Sequence, residues 1–125
     1  MPGASEPRIL VAEGEPTVGQ LIREALKLAG HEVELSENGR DALRRYQKGE
    51  FDLLVIDSML PRRSGLEVVT QIRNSGDAVP IILTSAGAGR VESFAFTYRV
   101  ELLHKPFGLK ELRAAVARAL RETGR

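Results

Sequence analysis

The stretch Leu53-Leu54-Val55-Ile56-Asp57 places a carboxylate directly after four apolar residues. An unbroken apolar run of this length is typical of a strand buried on both faces of a parallel sheet. It is the most hydrophobic such run in the chain, so we expect it to be the central strand. A half-buried carboxylate is costly unless a cation or a hydrogen-bond donor pairs with it. The stretch therefore predicts a central strand whose carboxyl end carries Asp57 beside a partner.

Apolar blocks and amphipathic blocks alternate on both sides of this strand. Further short apolar runs predict strands at 9–12, 81–83 and 102–103, and alternation of apolar and polar residues predicts a more exposed strand at 33–35. Stripes of apolar residues at helical spacing predict helices that begin near Pro16, Gly39, Gly65 and Leu109. Strands that alternate with helices favour right-handed crossovers and a parallel sheet covered on both faces. The pattern therefore predicts a doubly wound α/β fold.

Polar residues stand where four of these strands end. Glu13 follows the first strand, and Asp57 ends the third. Thr84 ends the fourth strand, and Lys105 follows the fifth. In a doubly wound sheet these carboxyl ends share one edge, where ligands bind. Polar residues that merely begin loops would give the same pattern, but a carboxylate after four apolar residues favours a functional site.

The chemistry that suits this set of side chains is phosphoryl transfer to a carboxylate. Asp57 would attack phosphorus and form an acyl phosphate. A hard divalent cation, Mg²⁺ above all, would neutralise the crowded oxygens, and Glu13 would help to hold it. Lys105 would supply a mobile positive charge, and Thr84 would supply a hydroxyl donor.

Composition narrows the class of protein. The 125 residues suggest one domain, which we place at 8–122 behind a flexible lead at 1–7. The absence of cysteine excludes disulfides and thiolate sites and fits a cytoplasmic protein. A net charge of +1 without a recognition motif argues against direct nucleic-acid binding. No run of about 20 apolar residues and no secretory signal is present, so we expect no membrane contact.

Several motifs, in their order along the chain, resemble one known family. They are Asn38-Gly39, Asp57-Ser58-Met59-Leu60-Pro61 with Gly65 downstream, Ile82-Leu83-Thr84-Ser85 and Lys105-Pro106-Phe107. Together they make the range 8–120 resemble the receiver domain of bacterial two-component response regulators. The resemblance implies a five-stranded parallel sheet of flavodoxin-like strand order 2-1-3-4-5, with helices on both faces.

The resemblance also implies roles for individual residues. Asp57 would be the phosphoacceptor, and a histidine kinase would be the donor. The metal would be held by Glu13, Asp57 and the backbone carbonyl of Met59, while Thr84 and Lys105 would contact the phosphoryl group. The peptide bond before Pro106 would be cis. Such a domain is a switch that acts on an output protein or output domain, and it is not a turnover enzyme.

Departures from the family pattern leave two functions open. The family normally has two acidic residues after the first strand, and here the pair is Glu13-Gly14. We therefore expect weak Mg²⁺ binding, with Glu13 reaching inward. Leu102 takes the place of the usual aromatic residue on the fifth strand. The chain is either a phosphorylated switch or a receiver-like interaction module that no longer needs phosphate.

The segment between the fourth and fifth strands has an unusual pattern. Phe94, Phe96, Tyr98 and Val100 recur with period two, which is not a helical stripe. We expect either a short, distorted or replaced fourth helix or an ordinary helix with an apolar surface. Residues two apart on a helix are separated by about 200°, so a helical segment must expose Phe94 or Phe96. The Phe94–Tyr98 side is therefore our candidate for a partner face or a homodimer face.

Other site classes fit the sequence less well. The stretch Gly87-Ala88-Gly89 lacks the third glycine of a dinucleotide site. Phosphatases that use a strand-end aspartate resemble this chain at Asp57, but they would require a second acid where Met59 stands. The loop after the first strand lacks the hydroxyl-rich sequence that a flavin phosphate would need.

Overall fold

Five parallel strands form the sheet in the computed structural model, which describes residues 6–87 and 90–122. The strands are β1 (Arg8–Ala12), β2 (Glu32–Ser36), β3 (Leu53–Asp57), β4 (Ile81–Ser85) and β5 (Glu101–His104). The helices are α1 (Pro16–Leu28), α2 (Gly39–Lys48), α3 (Gly65–Asn74), α4 (Arg90–Tyr98) and α5 (Leu109–Glu122). The spatial order β2-β1-β3-β4-β5 confirms the predicted strand order, with β3 in the centre. Residues 1–5 of the predicted lead lie outside the described residues.

Local capping signals explain where two of the helices begin. Asn38 caps α2, because its side-chain oxygen accepts from the Asp41 amide at 2.7 Å. Ser64 and Glu67 form a reciprocal capping box at the start of α3, and each side chain accepts from the backbone amide of the other. Pro16 occupies the first turn of α1, where a missing amide proton costs nothing.

Alternation along the strands divides the core into two clusters, one on each face of the sheet. Ile9, Val11 and Val55 face one side, where residues of α1 and α5 pack against them. Leu10 and Ile56 face the other side and pack against residues of α2 and α3. Because β3 contributes buried residues to both clusters, its run has no polar alternation. Helices on both faces are thereby confirmed.

The segment with period two is a regular helix of nine residues, which is the ordinary helix of the two expected alternatives and not the distorted or replaced one. Phe94 and Tyr98 are four residues apart and share a face, with ring centroids 4.7 Å apart. Both pack against the core cluster beside α3, whereas Phe96 points away and is 87% exposed. Arg99 ends the helix in the left-handed region, with φ of 56°.

No helix among residues 6–87 and 90–122 has the length and apolarity that crossing a membrane requires.

Candidate functional site

Four predicted site residues meet at the carboxyl edge of the sheet. Asp57 ends β3 directly beside Thr84 of β4 in the parallel register. Glu13 follows β1 and Lys105 follows β5, two residues beyond core residues that face α1 and α5. Because side chains alternate along a strand, all four belong to the same face of the sheet. The predicted convergence of Glu13, Asp57, Thr84 and Lys105 is therefore seen in the structure.

The Lys105 ammonium lies between two carboxylates. Its Nζ donates to Asp57 Oδ2 at 2.7 Å and to Glu13 Oε1 at 3.1 Å. Asp57 Oδ1 accepts from the Met59 amide at 3.0 Å, and Glu13 Oε2 accepts from the Glu15 amide at 3.2 Å. Glu13 therefore reaches inward, as its extra methylene allows, and Asp57 has the cationic partner that its position predicted.

Burial sets the electrostatics of this edge. Glu13 is only 2% exposed, and its desolvation raises the pKa of its carboxyl, with repulsion from Asp57 as a further cause. Burial by itself lowers the pKa of Lys105, but hydrogen bonds to Asp57 and Glu13 outweigh burial and raise it overall. Two carboxylates thus share one ammonium, which leaves an excess of negative charge for a further cation to balance.

Two glycines hold the loop that follows Asp57. A Cβ on Gly65 would lie 1.8 Å from the Asp57 carbonyl oxygen, and the Gly65 amide donates to the Ser58 carbonyl at 3.0 Å. A Cβ on Gly39 would lie 1.8 Å from the Arg63 carbonyl oxygen. Only glycine permits such close backbone approach. These contacts explain why Gly65 and Gly39 accompany the aspartate motif.

The expected metal ligands form a small set of hard oxygen donors. Glu13 and Asp57 supply two carboxylates near each other, and their shared negative charge suits a divalent cation. Within the part of the chain that the structure describes, no cluster of three or more acidic or histidine side chains completes a metal site. Gly14 supplies no side chain, so the donor set fits Mg²⁺ only with several water ligands.

The end of β5 and the loop after it lie next to the site. The Lys105–Pro106 peptide bond is cis, as the family resemblance implied. His104 points away from the Asp57 face, and its Nε2 lies 3.6 Å from a carboxylate oxygen of Glu92 in α4. Leu102 is half-buried and packs against the core cluster beside α3.

Two features of the structure were not predicted from the sequence, the first at this edge of the sheet and the second at the opposite edge. Ser58 and Ser85 form a buried hydroxyl pair directly behind Asp57 and Thr84. Arg73 donates from the end of α3 to the carbonyl oxygens of Tyr98 and Val79, each at 2.7 Å. The sequence feature that could have identified the two serines is their position at the ends of apolar runs. For Arg73 the sequence offered none, since an arginine in the last turn of a helix is ordinarily solvated.

Comparisons with known proteins agree with this geometry. A family model for the response regulator receiver domain matches residues 9–117. Response regulator MprA of Mycolicibacterium vanbaalenii is 38% identical over 118 residues, which cover 93% of this chain and 51% of that protein. The protein of the same name from Mycobacterium leprae is 37% identical over 118 residues, covering 93% and 52%. This chain spans about half the length of these relatives.

Solved structures share the fold along nearly the whole chain. The receiver domain of a Francisella response regulator superposes with a TM-score of 0.89 at 25% identity, covering 94% of this chain and 99% of that one. The chemotaxis response regulator CheY4 of Vibrio cholerae superposes with a TM-score of 0.85 at 26% identity, covering 93% and 100%. From the matched range, the sequence identity and the shared architecture, this chain belongs to the response regulator receiver family of two-component signalling.

Proposed function

We propose that this chain accepts a phosphoryl group on Asp57 from a histidine kinase and thereby switches a partner-binding face. The observation that carries the proposal is the Asp57 carboxylate, held by Lys105 and by the Met59 amide beside buried Thr84. The transfer forms a bond between an Asp57 oxygen and phosphorus as the bond between phosphorus and the kinase imidazole breaks. The imidazole leaves with the electron pair, and the product is an acyl phosphate.

Lys105 and Thr84 have separate tasks in this transfer. Lys105 keeps its positive charge at neutral pH and can follow the negative charge from the Asp57 carboxylate to a phosphoryl oxygen. Thr84 lies next to Asp57 in the sheet register and offers its hydroxyl as a donor. In this proposal the chain is a switch with self-phosphorylation chemistry and no turnover reaction of its own.

Glu13, Asp57 and the Met59 carbonyl are the residues that would hold Mg²⁺. The metal, when bound, supplies positive charge for the oxygens around phosphorus. Glu13 already has a partner in Lys105, at 3.1 Å, so metal binding competes with an existing ion pair. This competition, together with the missing acid at Gly14, supports the proposal that Mg²⁺ binds weakly.

A second candidate function is a receiver-like interaction module that works without phosphate. It is favoured by the same ion pairs, because Lys105 already neutralises part of the charge that a metal would otherwise balance. A site stabilised in this way can persist as structure after its chemistry has been lost.

Partner binding is proposed on the face formed by α4. Phe96 is exposed there, and Arg99 lies exposed next to the end of the helix. Exposed aromatic and arginine side chains are enriched at protein interfaces. We propose this face as the contact for an output protein, an output domain or a second copy of the chain. The proposed setting is cytoplasmic, with no direct nucleic-acid contact by this domain.

The test is incubation with acetyl phosphate and Mg²⁺, followed by intact mass measurement. We expect one phosphoryl addition to the native chain and none to Asp57→Asn. The matched control is Asp52→Asn, since Asp52 lies at the opposite edge of the sheet, where it accepts from the Arg8 amide at 2.9 Å. Phosphoryl addition that survives in Asp57→Asn would refute the assignment, and no addition to the native chain would favour the phosphate-independent module.

A further inference from the structure

Two serines directly follow the residues that the proposed chemistry uses. Asp57 and Thr84 are partners in the register of β3 and β4, and Ser58 and Ser85 come next along each strand. Their side chains belong to the opposite face of the sheet, because faces alternate. Ser58 is 4% exposed and Ser85 is 1% exposed. Ser58 Oγ donates to Ser85 Oγ at 3.2 Å, and the Gly87 amide donates to Ser85 Oγ at 3.0 Å.

The surroundings make this hydroxyl pair unusual. Ile56 and Leu83 precede the serines by two residues and belong to the apolar cluster on the same face. Burying a hydroxyl without a hydrogen-bond partner destabilises the fold, because the group loses the hydrogen bonds that it makes to water in the unfolded chain. Ser58 and Ser85 therefore satisfy each other, and Ser85 also satisfies the amide of Gly87 in the turn that leads toward α4.

Backbone hydrogen bonds of the same two serines join three loops. The Ser58 amide donates to the Thr84 carbonyl at 2.8 Å, and the Ser58 carbonyl accepts from the Gly65 amide at 3.0 Å. The Ser85 carbonyl accepts from the Lys105 amide at 2.8 Å. The pair thus lies where the segments that carry Asp57, Thr84 and Lys105 meet.

We propose that the Ser58–Ser85 hydroxyl pair positions the turn at Gly87, so that a displacement of the loop after Asp57 is passed to the start of α4. Ser58 reaches the Gly87 amide through the Ser85 hydroxyl, which bonds to both. We therefore expect the effect of a Ser58 side-chain substitution on Gly87 to pass through the Ser85 hydroxyl. The positioning role stands on these contacts, and only the passage of a phosphoryl signal rests on the proposed function.

The first experiment measures amide hydrogen exchange of Gly87 by NMR in the unphosphorylated chain. We expect Ser58→Ala to accelerate exchange about fivefold, as loss of one buried neutral hydrogen bond would. Ser85→Ala should accelerate it at least as much, and the double variant should exchange no faster than Ser85→Ala. Ser93→Ala, at an exposed serine of α4, is the control and should leave Gly87 unchanged. Native exchange at Gly87 in Ser58→Ala would overturn the proposal.

The second experiment adds acetyl phosphate and Mg²⁺ and follows exchange along α4, with phosphate uptake measured by intact mass. We expect Ser85→Ala to take up phosphate as the native chain does while showing at most half of the native change in α4. A full change in α4 at equal uptake would show that the signal bypasses the pair. Failure of the native chain to take up phosphate would count against the proposed function alone, and the Gly87 measurement would still decide the positioning role.

Discussion

Two side chains, Lys105 and Glu13, determine how charge is arranged around Asp57. Glu13 is longer than an aspartate and reaches Lys105, which in turn contacts Asp57 at 2.7 Å. The ion pairs keep two buried carboxylates close together without a third acid. Gly14 stands where the family has its second acid, and its backbone φ lies outside the left-handed region. A side chain at this position therefore meets no conformational strain.

Gly14→Asp should tighten Mg²⁺ binding by at least about tenfold, or about 1.4 kcal/mol, because it restores a carboxylate beside the metal donors. A Cβ on Gly14 would lie 3.3 Å from Pro61 Cδ, so a small local shift has to accompany the substitution. The measurement is Mg²⁺ titration by calorimetry, with urea unfolding as a check on stability. Gly14→Asn is the control of matched size without charge, and equal affinity in the aspartate and asparagine variants would contradict the prediction.

Among the elements, α2 is tied to the sheet through its first turn. Asp41 accepts from the Ser36 hydroxyl at 2.8 Å and from Arg45 Nε at 2.7 Å, and it also pairs with Arg44. Burial raises the pKa of Asp41, but these hydrogen bonds outweigh burial and bring it to about 2. A carboxyl with a depressed pKa in the folded chain adds stability above its ordinary pKa and loses that stability as the pH falls.

Asp41→Asn should therefore lower the free energy of unfolding at pH 7 by about 1 kcal/mol, a figure reduced for the partial exposure of the pair. The difference between the variant and the native chain should fade as the pH falls from about 4 to about 2. Urea unfolding at several pH values measures it. Glu37→Gln, at an exposed acid before α2, should show no such loss at neutral pH, and a pH-independent difference for Asp41→Asn would argue against the ion pairs as its cause.

The helix α4 exposes one aromatic ring and buries the face that carries two others. Phe96→Ser should weaken self-association or partner binding with little change in stability, since the Phe96 ring is 87% exposed. Phe94→Ser should instead cost about 2 kcal/mol of stability, because Phe94 packs on Tyr98 and on the core. Sedimentation and urea unfolding of both variants test this contrast. If the native chain self-associates and the Phe96→Ser variant sediments in the same way, the Phe96 ring is excluded from the interface.

At the scale of the whole molecule, the Arg73 side chain links α3, the loop before β4 and the end of α4. The Arg73 guanidinium donates to the carbonyl oxygens of Val79, Tyr98 and Asp77 at 2.7, 2.7 and 3.0 Å. It also donates to the Arg99 carbonyl at 3.2 Å. These bonds hold the turn where Arg99 takes its left-handed conformation.

Arg73→Met should lower the free energy of unfolding by about 2–3 kcal/mol, because it removes charged hydrogen bonds and leaves carbonyl oxygens without them. Urea denaturation gives the change in unfolding free energy. Hydrogen exchange should also show faster exchange at the Val100 amide, which donates to the Ala95 carbonyl at the end of α4. Arg113→Met on the exposed side of α5 is the control, and equal losses in the two variants would contradict the special role of Arg73.

The period of the apolar residues determined most of the architecture from the sequence. Continuous apolar runs such as Leu53–Ile56 need cover on both faces of the sheet, and the amphipathic helices predicted between the strands supply that cover, which indicates a doubly wound sheet. The position of Asp57, Thr84 and Lys105 at strand ends then placed the candidate site, since parallel strands bring these ends to one edge. The sequence offered Gly39 and Gly65 as helix starts and members of the family motifs, and only the structure shows which carbonyl oxygens they approach.

Tertiary packing decided the features that depend on distant partners. Period two at Phe94 and Phe96 left open whether the fourth helix is ordinary, distorted or replaced, and contact of Phe94 and Tyr98 with the core favours the regular helix. The sharing of Lys105 between two carboxylates and the carbonyl contacts of Arg73 likewise join residues far apart in the chain. Such contacts stabilise a conformation through burial and hydrogen bonds across elements, and local sequence periodicity carries no record of them.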